Sequence, residues 1–344
     1  MKSEFDFIEK IRRRAQSQRV KTGIGDDCAV IARDAKTDLV ITADLLVEDV
    51  DFRLEWTTPE FIGHKALAVS LSDVAAMGAK PVWAMLSIGI PEKIWQTGFV
   101  DEFYAGWFRL AKKFGVALVG GDLSRTPDKI VIDSIAAGET KKGKAVLRSG
   151  AKAGDLIFVT GSLGGAAAGL KLLEAGERYG KSPETFLRKL LSRQLQPNPQ
   201  TEIGRILGEK NLATAMIDLS DGLSSDLTHL CRESKIGAKI FADKIPFDEN
   251  LKKFLTQRRK DAKIESPAAA NGFSETDALN FALDGGEDFE LLFTVNPKIF
   301  FQLEKALKNF AFSRIGEVTA SAGAIELISG NKTAVLEPEG FRHF

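Results

Sequence analysis

The acids of this chain recur where strands would end and helices begin. GIGDDCAVI (23–31) sets Asp26 and Asp27 between a glycine turn and a small apolar run, VITADLLV carries Asp44, and KALAVSLSDVAAMGAKP carries Asp73. LVGGD ends on Asp122, IDLSDGLSSD holds Asp218 and Asp221, and Glu287 and Asp288 follow Asp284 and two glycines. Singly, each has a structural explanation: Ser220 as a helix N-cap with Asp221 favoured by the helix dipole, Asp122 capping a glycine turn. Together they mark the strand-end edge where α/β folds bind ligands. The three histidines, His64, His229 and His343, lack metal-ligand spacing, and the two cysteines, Cys28 and Cys231, lie far apart. Carboxylates, not imidazoles or thiolates, would therefore carry any chemistry. Acids converging without His or Cys point to a hard cation, Mg2+ first. Mg2+ held by several acids points to a phosphate-bearing substrate.

Asp73 is the most informative of these residues. On a helix over 57–78, Ile62, Ala66, Val69, Asp73 and Ala76 follow one stripe, so the acid is expected where the apolar face points. An unpaired buried carboxylate is costly and needs a partner or a metal; a buried ion pair or helix-end hydrogen bond and a metal site stand as equal alternatives. Adjacent residues of an extended segment point opposite ways, so Asp26 need not share the site of Asp27; it would fix the glycine turn or pair elsewhere. The phosphate side is weaker, with no GxxxxGK[ST] loop and no GxGxxG. SLGGAAAGL would cradle a phosphate at a helix N-terminus or, as the favoured reading, form a tight strand–helix turn. Arg148 would reach a phosphate or be solvated.

The elements that must position these groups alternate. A helix is expected over 5–16, a strand over 38–49, then the 57–78 helix, with Pro59 in its first turn, Gly78 at its stop and Pro81 beyond. KPVWAMLSIGIP reads as a strand, 98–115 as a helix with Phe99, Phe103, Leu110 and Phe114 near one stripe, and 116–122 and 129–139 as strands. At about residue 140 the basic, Gly-rich ETKKGKAVLRSGAKAGD reads as a linker or crossover between domains. Strand 155–161, a helix from SLGGAAAGLKLLEAG, a strand–turn–helix over 212–234, a polar surface excursion over 249–276 and a strand after GGEDFE follow. The fold class is mixed α/β in two domains, 1–140 and 141–344. Lys plus Arg and Asp plus Glu number 47 each, so no global field draws the chain to nucleic acid or a membrane surface. No run of about 18 apolar residues would span a bilayer, the charged N-terminus does not read as a signal peptide, and few cysteines suit a reducing cytoplasm. His64 is expected to make a local hydrogen bond and His229 to be exposed. Cys28 and Cys231 read as core fillers, and Trp56, Trp83, Trp95 and Trp107 as core or subunit contacts.

GIGDDCAVI, TADLLVEDVDF, KALAVSLSDVAAMGAKP, LVGGD, RSGAKAGD, IDLSDGLSSD, GGEDFEL and GFRHF, in order, resemble thiamine-monophosphate kinase, from about residue 4 to the end. The wider superfamily includes aminoimidazole ribonucleotide synthetase and selenophosphate synthetase. The resemblance implies a two-domain fold of the aminoimidazole ribonucleotide synthetase type, an N-terminal domain that dimerises through its sheet, and ATP with several Mg2+ ions in the inter-domain cleft. It implies direct in-line transfer of the γ-phosphoryl group from ATP to thiamine monophosphate, giving thiamine diphosphate without a phosphoenzyme. Carried over by motif, the metal ligands are Asp27, Thr42, Asp44, Asp73, Asp122, Asp218 and Asp221, with the backbone of Ala43 where the family commonly has Thr. Asp27, Asp44, Asp73, Asp122, Asp218 and Arg148 would form the catalytic set. ATP contacts would include Gly121, Asp122, Arg148, Ser220 and Tyr104. On the acceptor side Glu287 keeps the family's acid, Asp51 replaces its usual His, and Pro338 stands where an aromatic usually stacks. Those two departures motivate the alternative of another small phosphorylated or carboxylated acceptor; a nucleotide-binding homodimer without turnover is the non-catalytic alternative.

Overall fold

The computed structural model describes residues 4–13, 15, 20–181, 184–262 and 275–341. His343, the end of the GFRHF motif and the centre of the expected 249–276 excursion lie outside them. The chain forms α1 (Glu4–Arg12), β1 (Val20–Thr22), β2 (Ala29–Ala32), β3 (Thr37–Val47), α2 (Pro59–Ala76), β4 (Lys80–Pro91), α3 (Glu92–Trp95), α4 (Phe99–Phe114), β5 (Ala117–Thr126) and β6 (Val131–Lys141). The six strands make one sheet in the order β1-β2-β3-β6-β4-β5. Its single parallel pair, β4 with β5, is joined by the α4 crossover that a parallel connection requires.

Alpha-helices α2 and α4 cross on one face of this sheet through two glycines. A Cβ built on Gly63 would meet the Phe103 carbonyl oxygen at 1.9 Å, and one on Gly106 the Glu60 carbonyl oxygen at 1.9 Å. Phe99, Phe103, Trp107 and Leu110 bury the inner face of α4, with Phe114 at its half-buried end. The helix stops where Gly115 turns left-handed at φ 69°, as glycine without a Cβ allows. The other face of the sheet is open. Ala43, Leu45, Met85 and Asp122 point there, and Leu45 and Met85 are 59% and 38% exposed.

The expected amphipathic stripe on α2 is not what the structure holds. Residues of α2 are buried on nearly every side, against α4, the sheet, and the helix Thr201–Glu209 and strand Ala215–Asp218 of the next domain. Small residues (Gly63, Ala66, Ala68, Ser70, Ser72, Ala75, Ala76) make such all-round contact possible. Beyond its first two turns, Val69 and Asp73 are its less covered positions. Asp73 therefore faces a cleft rather than the core.

A second sheet follows, in the order β13-β12-β9-β11-β7-β10-β8. Its strands are β7 (Leu156–Thr160), β8 (Ala215–Asp218), β9 (Gly237–Phe241), β10 (Leu291–Val295), β11 (Phe312–Thr319), β12 (Ile325–Ser329) and β13 (Lys332–Val335). Around it lie α5 (Gly165–Glu174), α6 (Thr185–Leu195), α7 (Thr201–Glu209), α8 (Leu223–Ser234), α9 (Glu249–Ala262), α10 (Glu275–Asp284) and α11 (Phe300–Ala306). The basic stretch between the sheets is no loose linker. Val146 N–H donates to Met77 O (3.0 Å) and Met216 N–H to Leu147 O (3.0 Å), lacing the end of α2 to β8. Among the described residues no helix is long and apolar enough to cross a membrane.

Two helix starts differ from expectation or refine it. Gly222, not Ser220, is the N-cap of α8; the Asp226 carboxylate accepts from Asp221 and Gly222 N–H (3.2 and 3.1 Å) and so does the capping. At α5 the Asp288 carboxylate accepts from Gly164 N–H (2.6 Å) and Ala166 N–H (3.1 Å). A protein acid thus occupies the SLGGAAAGL turn, as the packing reading requires.

Candidate active site

Three elements deliver three acids to one place. The turn before β2 supplies Asp27, α2 supplies Asp73, and the last residue of β8 is Asp218. One carboxylate oxygen of each lies within 4.8 Å of the others. Asp27 and Asp218 are buried. The Thr42 hydroxyl donates to Asp73, and Ser72 Oγ donates to Asp218 Oδ2 at 2.6 Å, linking α2 to the second sheet. Ser70 Oγ does the same for Asp44 Oδ2 at 2.7 Å. Arg148 reaches Asp27 Oδ1 with Nη2 and Nε (2.6 and 3.2 Å).

The charges are under strain. Burial first, then Asp44, Asp218 and Asp27, push the Asp73 pKa well above the carboxylate range. Burial and then Asp27 raise Asp218 to about 8. Burial raises Asp44 to about 6, with Asp133 adding to it. Buried acids at such spacing repel one another unless a proton or a cation intervenes. Asp27 Oδ2 is moreover buried without a hydrogen-bond partner. An all-oxygen, all-carboxylate set with an orphaned oxygen fits a hard divalent cation such as Mg2+.

The doublet at 26–27 divides its work around one arginine. Asp27 takes the guanidinium, while Asp26 Oδ1 accepts from the backbone N–H of Arg148 (3.0 Å) and of Asp27 (3.3 Å). Burial and the Asp27 charge raise Asp26 to about 7. Arg148 thus spends its charge on Asp27.

A cavity of about 290 Å³ opens beside the cluster, lined from both halves of the chain. Asp44, Ser220 and Asp221 lie on its wall, with Lys65 and Val69 of α2. Lys65 and Asp73 share one face of that helix, ~12 Å apart at 1.5 Å per residue. Glu287 lines the cavity and pairs with Lys65 Nζ at 2.6 Å; the Gln194 amide also donates to it. Glu287 and Phe289 sit at φ 56° and 49°, a left-handed backbone that side chains disfavour. Their N–H groups donate to Ser220 O and Leu219 O (2.7 and 2.9 Å), which hold the loop in place. Asp51 also lines the cavity. Its Oδ2 accepts from Val47 N–H (2.7 Å), and its carbonyl from Lys65 Nζ (3.1 Å).

Other expected residues lie elsewhere in a single chain. Gly121 and Asp122 are on edge strand β5, with Asp122 exposed, about 14 Å across three strand spacings from β3. A Cβ at Gly121 would meet the Leu86 carbonyl oxygen at 1.8 Å, so glycine is needed there for packing in its own right. Tyr104 packs on Phe103 and Phe108 of α4. Ala43 points to the open face of the sheet. The aromatic ring from the C-terminal segment at the cavity is Phe341, and Pro338 is not among its lining residues. His64 makes its local bond, to Pro197 O at 2.8 Å. His229 is buried, not exposed; burial, then Arg148 and Arg232, lower its pKa to about 4. Trp107 is core, but Trp56 lines the cavity. Lys65, Thr57 and Gln194 were not singled out by sequence. A lone lysine in the apolar run KALAV was the available signal for Lys65.

Residues 25–140 match the AIR synthase related protein, N-terminal domain, and residues 152–327 the AIR synthase related protein, C-terminal domain. The tandem of these two domains, with the acid cluster between their sheets, defines a protein of the AIR synthase-related class. Thiamine-monophosphate kinase of Buchnera aphidicola subsp. Acyrthosiphon pisum is 37% identical over 99% of both chains. The Bacillus subtilis thiamine-monophosphate kinase is 35% identical, again over 99% of each. A solved structure of AaThiL complexed with AMPPCP and TMP superposes with a TM-score of 0.82 at 32% identity, covering 99% of this chain and 97% of that one. The chain belongs to the thiamine-monophosphate kinase family.

Proposed function

We propose that this protein transfers the γ-phosphoryl group of ATP to the phosphate of thiamine monophosphate, yielding ADP and thiamine diphosphate. The observation that carries the reading is the buried Asp27–Asp73–Asp218 cluster beside a cavity of ligand size. Donor and acceptor are both phosphates, so they repel until positive charge gathers between them. Several Mg2+ ions, held by Asp27, Asp73 and Asp218 with Asp44, Thr42 and Asp221 close by, would supply that charge when bound. Arg148 would turn from Asp27 to a phosphate oxygen of ATP, near Ser220. The attacking phosphate oxygen is largely ionised at neutral pH, so no strong general base is required, which suits a site where the buried His229 stays neutral. In-line transfer without a phosphoenzyme follows. Asp51 and Glu287 would face the acceptor.

The same reading includes a homodimer. The exposed apolar positions Leu45 and Met85 on the open sheet face support it, and Asp122 lies on that face. The assignment of Gly121, Asp122 and Tyr104 to ATP rests on this pairing. We place the domain division at 140–141, where β6 gives way to the interlacing segment, and the enzyme in the cytoplasm, where its two free, buried cysteines would stay reduced.

Purified protein with ATP, Mg2+ and thiamine monophosphate should produce ADP and thiamine diphosphate in equal amounts. Folded protein that makes no thiamine diphosphate, yet releases ADP with another small phosphorylated or carboxylated acceptor, would replace the acceptor.

A further inference from the structure

The phosphoryl chemistry leaves one part of the cavity unexplained. Trp56 and Thr57 line it, on the segment between β3 and α2. The Arg53 guanidinium carbon lies 4.6 Å from the centre of the Trp56 ring, so a cation already occupies that face. Arg53 itself is exposed, while Trp56 is half-buried against the core under α5 and α6. The segment is strapped to the second domain where Arg178 Nε donates to Glu55 O at 2.8 Å. Next to the ring, Thr57 Oγ1 is buried and has no hydrogen-bond partner. Four buried side-chain polar atoms lack a partner among the described residues, and two flank this cleft: Asp27 Oδ2 at the acid cluster and Thr57 Oγ1 here. A buried hydroxyl without a partner is costly, and a ligand atom would relieve it. Asp44, Asp51, Asp221 and Glu287 outnumber Arg53 and Lys65 on the wall of this cavity and give it a field that favours positive charge.

We propose that Trp56 and Thr57 are the specificity pair for the acceptor, the Trp56 face receiving its cationic heteroaromatic ring in place of Arg53 and Thr57 Oγ1 bonding a polar atom of its second ring. The acceptor then lies with its phosphate toward the acid cluster and its rings toward Trp56. This rests on the acceptor assigned above, whose thiazolium carries a fixed charge. An aromatic face attracts such a cation electrostatically and discriminates against a neutral ring of the same shape.

Steady-state kinetics on the wild type, W56L, W56F and T57V, with thiamine monophosphate and with its uncharged thiophene analogue, test the pair. W56L should raise the acceptor KM about tenfold, leave the ATP KM unchanged, and lose the preference for the charged acceptor. W56F should fall between. T57V should raise KM for both acceptors about fivefold. Turnover by wild type with unchanged acceptor KM in W56L and T57V overturns this inference alone. Equal losses toward ATP and acceptor in both W56L and W56F overturn it as well, since packing alone would produce them. A wild type that makes no thiamine diphosphate overturns the acceptor and the inference with it.

Discussion

Replacing Asp73 by Asn should make the metal-free protein more stable while nearly abolishing its activity. The Asp73 carboxylate has an oxygen within 4.8 Å of one from each of Asp27 and Asp218. At an effective dielectric of about 20, two unit charges at that separation repel by ~3.5 kcal/mol. The folded Asp73 pKa lies well above its ordinary 3.8. The folded state therefore holds a proton that the unfolded chain releases, and stability falls as pH rises from about 3.8 through the folded value. At pH 8 the wild type bears part of this cost, with protonation and Arg148 absorbing some of the repulsion. Asn removes the charge and keeps a carbonyl to accept from Thr42. A gain of ~2 kcal/mol, or roughly 3 °C in Tm, is expected in EDTA at pH 8. Mg2+ should then raise the wild-type Tm but hardly that of D73N, and turnover should drop by about 10³ or more. Thermal melts with and without Mg2+, paired with rates of thiamine diphosphate formation, read both effects. If D73N were instead destabilised by ~3–5 kcal/mol, as when one partner leaves a buried ion pair, or kept its activity, the metal-cluster reasoning would fail.

The raised values at Asp44, about 6, and Asp218, about 8, both from ordinary values of 3.8, predict that the metal-free Tm declines between pH 4 and 8. Mg2+ competes with those protons, so its stabilisation should be larger at pH 8 than at pH 5; a shift independent of pH would contradict the assignment. Gly106→Ala would place a methyl 1.9 Å from the Glu60 carbonyl and should cost ~3 kcal/mol or more through overpacking at the α2–α4 crossing. A denaturant midpoint equal to wild type would show that the helices can separate without penalty.

Asp27 and Asp218 were legible because glycines and serines set them at a turn and a strand end, Asp73 because it interrupts the small and apolar run of a helix, and the three do meet. Much of the cavity wall was not. Trp56 and Thr57 sit in a segment without periodicity, and their exposure depends on where α5 and α6 arrive from far along the chain. The α2 helix misled in an instructive way. Its apolar positions suit a stripe, but so many of its residues are small that every face is covered, and the one cleft-facing line is revealed only by Lys65, Val69 and Asp73 together. His229 failed similarly: a polar residue on a mixed helix reads as exposed until tertiary packing covers it. Asp122 followed the rule for strand ends, yet β5 runs on past it to Thr126 as an edge strand. Local pattern cannot say which edge of a sheet a strand will take.

The three-acid set has a consequence for the order in which the chain is made. Asp27 and Asp73 are present once synthesis has passed Lys141 and the first sheet has all its strands. Asp218 closes the set only from β8, well into the second half, and Ser72 waits for it on α2. A nascent or truncated chain ending before Asp218 carries two acids and an arginine, without the third carboxylate. If the three acids act as proposed, phosphoryl transfer would wait until both halves exist and have docked, and a half-built chain would lack a complete site with which to squander nucleotide.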